Sequence, residues 1–213
     1  MKLTLENLDQ LDFSKGDGLL PVQGLLPVIV QHARSGKVLM QGYANREALE
    51  HSLQTGAVTF FSRSKNRLWT KGESSGHTLK LYNMTADCDR DSILALALPQ
   101  GPTCHTGSET CWFDTDANSP SLSFIDDLEQ VIHSRYGADP STSYTASLFA
   151  KGVKRIAQKV GEEGVETALA ATVGDKEELK NEAADLLYHL LVLLRSQDMA
   201  LDDVVQVLKQ RHK

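Results

Sequence analysis

The chain has 213 residues, of which 41% are hydrophobic and 23% charged, and its formal net charge is −6. This length holds one large domain or two small ones, and the acidic balance argues against nucleic acid or an anionic membrane as the main partner. No apolar run reaches the length of a membrane span, and the first ten residues lack a signal-peptide pattern. We therefore expect a cytoplasmic protein whose three cysteines, all within 88–111, serve a metal or catalysis rather than a disulfide.

Strand patterns dominate the first half of the chain. A helix is predicted at Asn45–Thr55, with Asn45 as its N-cap and Gly56 after its end. In the segments around this helix, apolar and polar residues alternate or apolar residues run without a break, which is typical of strands. The segments predict two hairpins, followed by one long strand that continues into an apolar run. These segments are Leu25–His32, Lys37–Tyr43, Ala57–Ser62, Arg67–Lys71, Thr78–Asp91 and Ile93–Leu98.

Helical spacing dominates the second half, in Phe124–Tyr136, Ala146–Val173, Lys176–Gln197 and Leu201–Arg211. The polar stretch Asp114–Ser121 separates the two patterns and predicts two domains, residues 1–115 and 116–213. The simplest architecture is an α+β domain of mostly antiparallel strands followed by an all-α helical bundle.

The first half contains a row of alternating acids next to three cysteines. On a strand, Asp87, Asp89 and Asp91 would share one face and suit Mg²⁺, while Cys88 would face the other way. A loop over 101–112 can bring Cys104 and Cys111 together, and three thiolates favour Zn²⁺ with an open position for water. A solvated acidic face with an ordinary core cysteine is the alternative, and the spacing alone does not decide between them.

The segment 63–77 mixes cations, hydroxyls and glycines with one aromatic residue, which is typical of a phosphate-binding loop. Trp69 either stacks on a base or is buried in the core. His77 and His105 are candidate proton carriers, with a purely structural role as the alternative. The candidate substrate-binding residues here are Arg63, Trp69, Lys71, Ser74 and Ser75.

The second half places carboxylates on apolar helical stripes. Glu162, Glu163 and Glu166 share a sector of one helix, and Glu182 lies on the apolar stripe of the next, with Asp185 at its edge. Burying carboxylates without compensation costs several kcal/mol, so this pattern predicts either a Mg²⁺ site or a cationic partner such as Lys159. Lys151, Lys154, Arg155 and Lys159 either hold phosphates or form a solvated basic face.

Longer motifs carry a family resemblance. The first half resembles phosphoribosyl-AMP cyclohydrolase in WTKGESSGH (69–77), DCDRD (87–91) and GPTCHTGSETCW (101–112). The second half resembles phosphoribosyl-ATP pyrophosphohydrolase in SYTASLFAKGVKRIAQKVGEEGVETALAA (143–171) and NEAADLLYHLLVLL (181–194). The latter is one of the all-α nucleotide pyrophosphatases, whose ExxE…ExxD pattern is matched by Glu163, Glu166, Glu182 and Asp185. The fused order is that of the bifunctional enzymes of histidine biosynthesis.

The resemblance implies two consecutive hydrolyses. Phosphoribosyl-ATP would give phosphoribosyl-AMP and pyrophosphate, and a zinc-activated water would then open the adenine ring at N1–C6, with His105 or His77 carrying the proton. Asp87, Asp89 and Asp91 would hold Mg²⁺, while Cys104, Cys111 and the partner subunit's Cys88 would hold Zn²⁺ in a homodimer. Glu163 would act in pyrophosphate release. A house-cleaning nucleotide pyrophosphatase and a nucleotide-sensing dimer with structural zinc are the alternatives.

Overall fold

The computed structural model describes residues 1–15, 23–112 and 122–212. It divides into two compact units, Met1–Phe124 and Ile125–Lys213, and each is described by itself. The predicted linker and the predicted boundary at 115/116 lie within residues 113–121, outside the described parts. None of the described helices is long and apolar enough to cross a membrane.

The N-terminal unit contains a helix and two sheets. Its elements after the short 3-10 helix Leu8–Gln10 are β1 (Leu26–His32), β2 (Val38–Ala44), α1 (Arg46–Thr55), β3 (Thr59–Ser62), β4 (Arg67–Thr70), β5 (Leu79–Ala86) and β6 (Ile93–Pro99). One sheet has the order β2-β1-β6-β5, and β3 pairs with β4 in the other. β1 and β6 run parallel, while the other pairs are antiparallel, which confirms the predicted α+β unit of mostly antiparallel strands.

Both predicted hairpins form, and the helix between them has the predicted ends. β1 pairs with β2, and β3 with β4, around the expected turns. The Asn45 side chain accepts a hydrogen bond from the N–H of Ala48, which satisfies one free donor at the start of α1. Gly56 follows the helix with a φ of 70°, a left-handed conformation that glycine adopts without steric cost.

The prediction of one long strand over Thr78–Asp91 is wrong at its end. β5 stops at Ala86, and the chain then reverses so that β6 pairs antiparallel with β5 instead of continuing it. The Asp87 carboxylate accepts hydrogen bonds from the N–H groups of Asp91 (3.1 Å) and Ser92 (3.2 Å). A short polar side chain that bonds to nearby backbone competes with strand pairing, so the acids lie on a turn rather than on one face of a strand.

The core of the N-terminal unit lies between the sheets and α1. Val28 of β1, Leu49 of α1 and Phe60 of β3 are among its fully buried side chains. Burial of a large apolar side chain contributes about 1.5–3 kcal/mol, so this core is the main support for the loops attached to it. Those loops follow β4, β5 and β6 and carry the predicted site residues.

The C-terminal unit is helical, as predicted. Its described helices are α2 (Ser123–Arg135), α3 (Tyr144–Lys151), α4 (Val153–Val173), α5 (Lys176–Ser196) and α6 (Leu201–Arg211). A small apolar core, which includes Leu148, Ile156 and Leu191, lies between α3, α4 and α5. That this bundle is of the nucleotide-pyrophosphatase type stays a prediction.

The predicted single helix over Ala146–Val173 is in fact two helices. Gly152 ends α3 and begins α4, with a φ of 81° and a ψ of 171° that are not helical. Glycine is a poor helix former and reaches positive φ without steric cost, which explains the break within an otherwise periodic segment. α3 is therefore a separate helix, and Thr145 near its start hydrogen-bonds to Tyr188 of α5 (2.7 Å).

A two-residue connection makes α4 and α5 an antiparallel pair. Gly174 ends α4 with a φ of 75°, and the Asp175 carboxylate caps α5 by accepting from the N–H groups of Glu177 and Glu178. These are strong stop and start signals for helices. The tight turn sets the acidic residues of α4 opposite those of α5.

Two candidate active sites

A cavity of about 490 Å³ in the N-terminal unit gathers most of the residues predicted there. It lies where the loops after β4 and β6 meet. The predicted residues that line it are Trp69, Lys71, Ser74, Ser75, His77, Cys104, His105 and Cys111. Arg63 is not part of this lining, because its guanidinium lies over the ring of Tyr43, 4.1 Å from the centroid.

Two of the three cysteines are neighbours in this cavity. The N–H of Cys111 donates to Leu39 O (2.9 Å), and the loop closes on itself where the N–H of Cys104 donates to Ser108 O (2.9 Å). The Thr106 hydroxyl donates to Cys104 Sγ (3.1 Å), which lowers the pKa of the Cys104 thiol. Burial and the adjacent Cys104 raise the pKa of the Cys111 thiol. Ionisation of one thiol therefore opposes ionisation of the other, while the nearby Lys71 ammonium favours the thiolate of Cys111.

Cys88 lies elsewhere in the described chain. It is exposed on the turn after β5, with Sγ 3.8 Å from Asp89 Oδ1. Among the described residues, the three cysteines do not form one metal-binding group. A single chain thus supplies two thiols to the cavity. That the partner subunit's Cys88 supplies the third stays a prediction.

The wall of the cavity formed by residues 69–77 holds a buried lysine. Lys71 is only 8% exposed, its ammonium donates to His77 O (3.3 Å), and burial lowers its pKa. Gly72 has a φ of 84°, and a Cβ there would lie 2.4 Å from the His77 backbone, so the loop needs glycine to fold back. Trp69 stacks on Phe60 with centroids 5.7 Å apart, so it belongs to both the core and the cavity wall.

The acids after β5 form a compact group although they are not on a strand. Carboxylate oxygens of Asp87, Asp89 and Asp91 lie within 4.8 Å of one another. Lys15 forms ion pairs with Asp89 and with Asp91 (3.1 Å). These hydrogen bonds raise the pKa of Lys15 and lower that of Asp89, so the lysine stabilises the ionised form of the acidic group.

A second acidic group lies between α4 and α5. Oxygens of Glu163, Glu166 and Glu182 lie within 4.8 Å of one another, whereas Glu162 and Asp185 are not part of that group. Glu163 is 4% exposed, which confirms its predicted place on the buried stripe. The ammonium of Lys159 lies 2.5 Å from Glu163 Oε1 and 3.1 Å from Glu162 Oε2.

The pKa values of two acids in this group, Glu163 and Glu182, are shifted in opposite directions. The hydrogen bond from Lys159 lowers the pKa of Glu163 and raises that of Lys159. Burial, followed by the neighbouring carboxylates, raises the pKa of Glu182. Without a metal ion, Lys159 thus stabilises the ionised form of Glu163, while the neighbouring carboxylates oppose the ionisation of Glu182, because adjacent carboxylates repel each other when both are ionised.

The other predicted cations lie upstream on α3 and α4. Lys151 and Lys154 are exposed, and the Arg155 guanidinium lies 3.6 Å from Glu162 Oε1. Arg155 therefore contacts Glu162 at the edge of the acidic group and Lys159 contacts the group itself, while the described contacts do not connect Lys151 or Lys154 to these acids.

Comparison with known proteins agrees with these two sites. Residues 40–113 match the family model of phosphoribosyl-AMP cyclohydrolase, and residues 125–212 match that of phosphoribosyl-ATP pyrophosphohydrolase. The histidine biosynthesis bifunctional protein HisIE of Vibrio cholerae is 60% identical over 96% of this chain and 95% of its own length. The chain belongs to the HisIE family. HisIE proteins of Shewanella oneidensis and Escherichia coli K12 are 57% and 56% identical over 99% of the chain, and over 95% and 100% of their own lengths.

As a HisIE protein, the chain is a bifunctional hydrolase of histidine biosynthesis, with cyclohydrolase and pyrophosphohydrolase domains in the predicted order. The first domain match contains the cavity and the aspartate group, and the second contains the glutamate group. Lys15 lies outside both matches, so only the folded chain connects it with the aspartates.

Sequence reasoning missed a buried histidine in the HisIE pyrophosphohydrolase domain. His189 is 4% exposed, with Nδ1 2.8 Å from Asp185 O and 3.7 Å from Glu163 Oε1. Its Nε2 lies 3.3 Å from the Tyr144 hydroxyl of α3. The signal was present, because His189 follows Glu182 by seven residues and so lies on the same helical stripe.

Proposed function

We propose that each HisIE unit performs its own hydrolysis, and that the products pass from the helical unit to the N-terminal unit. Phosphoribosyl-ATP is cleaved between its α and β phosphates at the glutamate group of α4 and α5. The adenine ring of phosphoribosyl-AMP is then opened at the N1–C6 bond in the N-terminal cavity. The observation that carries the second assignment is the gathering of two adjacent thiols, a buried lysine and two histidines around one cavity.

The donor set of the cavity fits a zinc ion. Cys104 and Cys111 are adjacent, and the hydrogen bond from Thr106 favours the thiolate form of Cys104, which is the form that binds metal. We assign Cys104 and Cys111 as ligands, with the partner subunit's Cys88 as the third in a homodimer. Bound there, zinc would lower the pKa of a bound water to about 7 and so make hydroxide available near neutral pH.

The remaining residues of the cavity bind the nucleotide and move its protons. His105, next to Cys104, or His77, across the cavity, takes the proton of the attacking water. The face of Trp69 stacks on the purine, and the Lys71 ammonium with the Ser74 and Ser75 hydroxyls binds phosphate oxygens. Arg63 serves only as an outer contact, because its side chain is stacked on Tyr43.

In the helical unit, three carboxylates fit a magnesium ion. Glu163, Glu166 and Glu182 would hold it, with Glu162 and Asp185 at the edge, and the ion would supply positive charge for the phosphates and a site for water. Arg155, Lys151 and Lys154 attract the triphosphate. Lys159 acts mainly as the counter-ion of Glu163, because it is already bound there. The aspartates after β5 would hold a second Mg²⁺ in the same way, in exchange for Lys15.

The products of phosphoribosyl-ATP test this assignment. The purified protein is supplied with phosphoribosyl-ATP, Mg²⁺ and Zn²⁺, and the products are identified by mass spectrometry. We expect pyrophosphate and phosphoribosyl-AMP first, followed by a product heavier than phosphoribosyl-AMP by one water. Release of pyrophosphate from ordinary nucleoside triphosphates at the same rate would contradict the substrate assignment.

The proposed zinc ligation requires a homodimer, and we place this enzyme with free thiols in the cytoplasm. The chain has a mass of 23.4 kDa, and light scattering at micromolar concentration should give twice that value. A monomer that still binds zinc through Cys104 and Cys111 would contradict the shared site.

A further inference from the structure

One hydroxyl in the N-terminal cavity lacks a hydrogen-bond partner. Thr103 lines the cavity and is 2% exposed, yet its Oγ1 is buried with no donor or acceptor in reach. Burying a hydroxyl without a partner costs free energy, and most buried polar atoms in native proteins are paired. An exception at the wall of a functional cavity therefore points to a partner that arrives with the ligand.

Other hydroxyls of the same unit do have hydrogen-bond partners in the free protein. Thr106 Oγ1 contacts Cys104 Sγ (3.1 Å) and Ser108 Oγ (3.2 Å). Buried Thr59 Oγ1 contacts Thr70 Oγ1 (2.9 Å) at the base of the same region. Thr103 precedes Cys104 in sequence, so its side chain begins one residue from the thiol pair.

We propose that the Thr103 hydroxyl is a further substrate contact of the cyclohydrolase site, where it hydrogen-bonds to the purine of phosphoribosyl-AMP. This inference rests on the proposed function of the cavity. A hydroxyl donates and accepts, and the edge of adenine presents both ring-nitrogen acceptors and an amino donor. The hydroxyl turns between staggered positions about the Cα–Cβ bond, and this rotation is the movement that the proposed contact requires.

The contact has an energetic signature that a structural hydroxyl lacks. A hydrogen bond that forms only in the complex strengthens binding or the transition state but adds nothing to the stability of the free protein. Removing the Thr103 hydroxyl should therefore weaken the reaction while leaving the melting temperature unchanged or higher. Removing a hydroxyl that has a partner in the free protein should lower the melting temperature and leave the reaction unchanged.

The test compares Thr103→Val with Thr59→Val, which makes the same change at a buried hydroxyl that has a partner. In Thr103→Val we expect kcat/KM for ring opening of phosphoribosyl-AMP to fall roughly tenfold, with unchanged zinc content. Calorimetric titration with AMP should show a similar loss of affinity. Thr103→Ser should restore both quantities to within about threefold, because it keeps the hydroxyl. Thr59→Val should melt at a lower temperature and keep its kcat/KM.

Two results would contradict the proposed contact between Thr103 and the substrate. One is a folded Thr103→Val protein with wild-type kcat/KM and wild-type AMP affinity. The other is a fall in melting temperature as large as that of Thr59→Val, since the hydroxyl would then have a partner in the free protein. If Thr103→Val does not fold, Thr103→Ala provides the same comparison with less bulk. Wild-type protein that is inert on phosphoribosyl-AMP would refute the proposed function, and the AMP titration would still test Thr103.

Discussion

The two acidic groups of this protein are neutralised in opposite ways. Asp89 lies on an exposed turn, and its lysine, Lys15, is 74 residues away in the sequence. Glu163 is 4% exposed, and its lysine, Lys159, lies one turn earlier on the same helix. An exposed carboxylate is stabilised by water and needs no fixed partner, whereas a buried one needs a cation built into the same rigid element. The exposed ion pair therefore contributes little to stability, while the buried one is part of the fold.

Changing Glu163 should have the largest effect on stability. In metal-free protein, Glu163→Gln leaves the largely buried Lys159 with only the half-exposed Glu162 as its partner, so the free energy of unfolding should fall by about 1–3 kcal/mol at pH 7. Urea unfolding measures this loss, and Glu162→Gln is the matched control, with a smaller expected change. A Glu163→Gln protein as stable as the wild type would show that repulsion among the carboxylates outweighs the ion pair.

The pH dependence of that loss follows from the lowered pKa of Glu163. A carboxyl group whose pKa is lower in the folded state contributes stability above its unfolded value and loses it as the pH falls through the folded value. The difference in the free energy of unfolding between wild type and Glu163→Gln should therefore be largest at pH 7. It should vanish in acid, below the ordinary carboxyl pKa of about 4.

Glu182 should give a smaller effect of opposite sign. Burial and the adjacent carboxylates raise its pKa, so folding opposes its ionisation and the ionised group destabilises the fold at neutral pH. Glu182→Gln should then increase the free energy of unfolding of metal-free protein at pH 7. This gain should disappear below about pH 4, where the carboxyl group is protonated in both states. Urea unfolding between pH 4 and 8 provides the measurement, and a gain that does not vary with pH would contradict the assignment.

The smallest expected effect is at the exposed group. Lys15→Gln should leave the melting temperature unchanged, because an exposed ion pair is screened by water and salt. The same change should raise the affinity of the aspartates for Mg²⁺, measured by calorimetry, because a competing cation has been removed. Lys80→Gln, at another exposed lysine of the same unit, serves as the control. A fall in Mg²⁺ affinity in Lys15→Gln would show that Lys15 supports the metal site instead of competing for it.

Local patterns in the sequence predicted most of the elements, since they depend on neighbouring residues. The cap at Asn45 and the start of a helix at Lys176 are examples, and the buried position of Glu163 followed from helical periodicity. The turn at Asp87 was missed because its alternating acids match a strand, while the side chain bonds to its own backbone. Lys15 was also missed, because long-range folding alone brings it to the aspartates.

The central claim is that two separate sites act in sequence, and Cys104→Ala tests it most directly. With phosphoribosyl-ATP, Mg²⁺ and Zn²⁺, this variant should release pyrophosphate at the wild-type rate, accumulate phosphoribosyl-AMP and form no ring-opened product. Glu163→Gln should show the opposite pattern, in which pyrophosphate release is lost and ring opening of added phosphoribosyl-AMP is retained. Loss of both activities in a folded Cys104→Ala protein would contradict the account, because the thiol site and the carboxylate site would then not be independent.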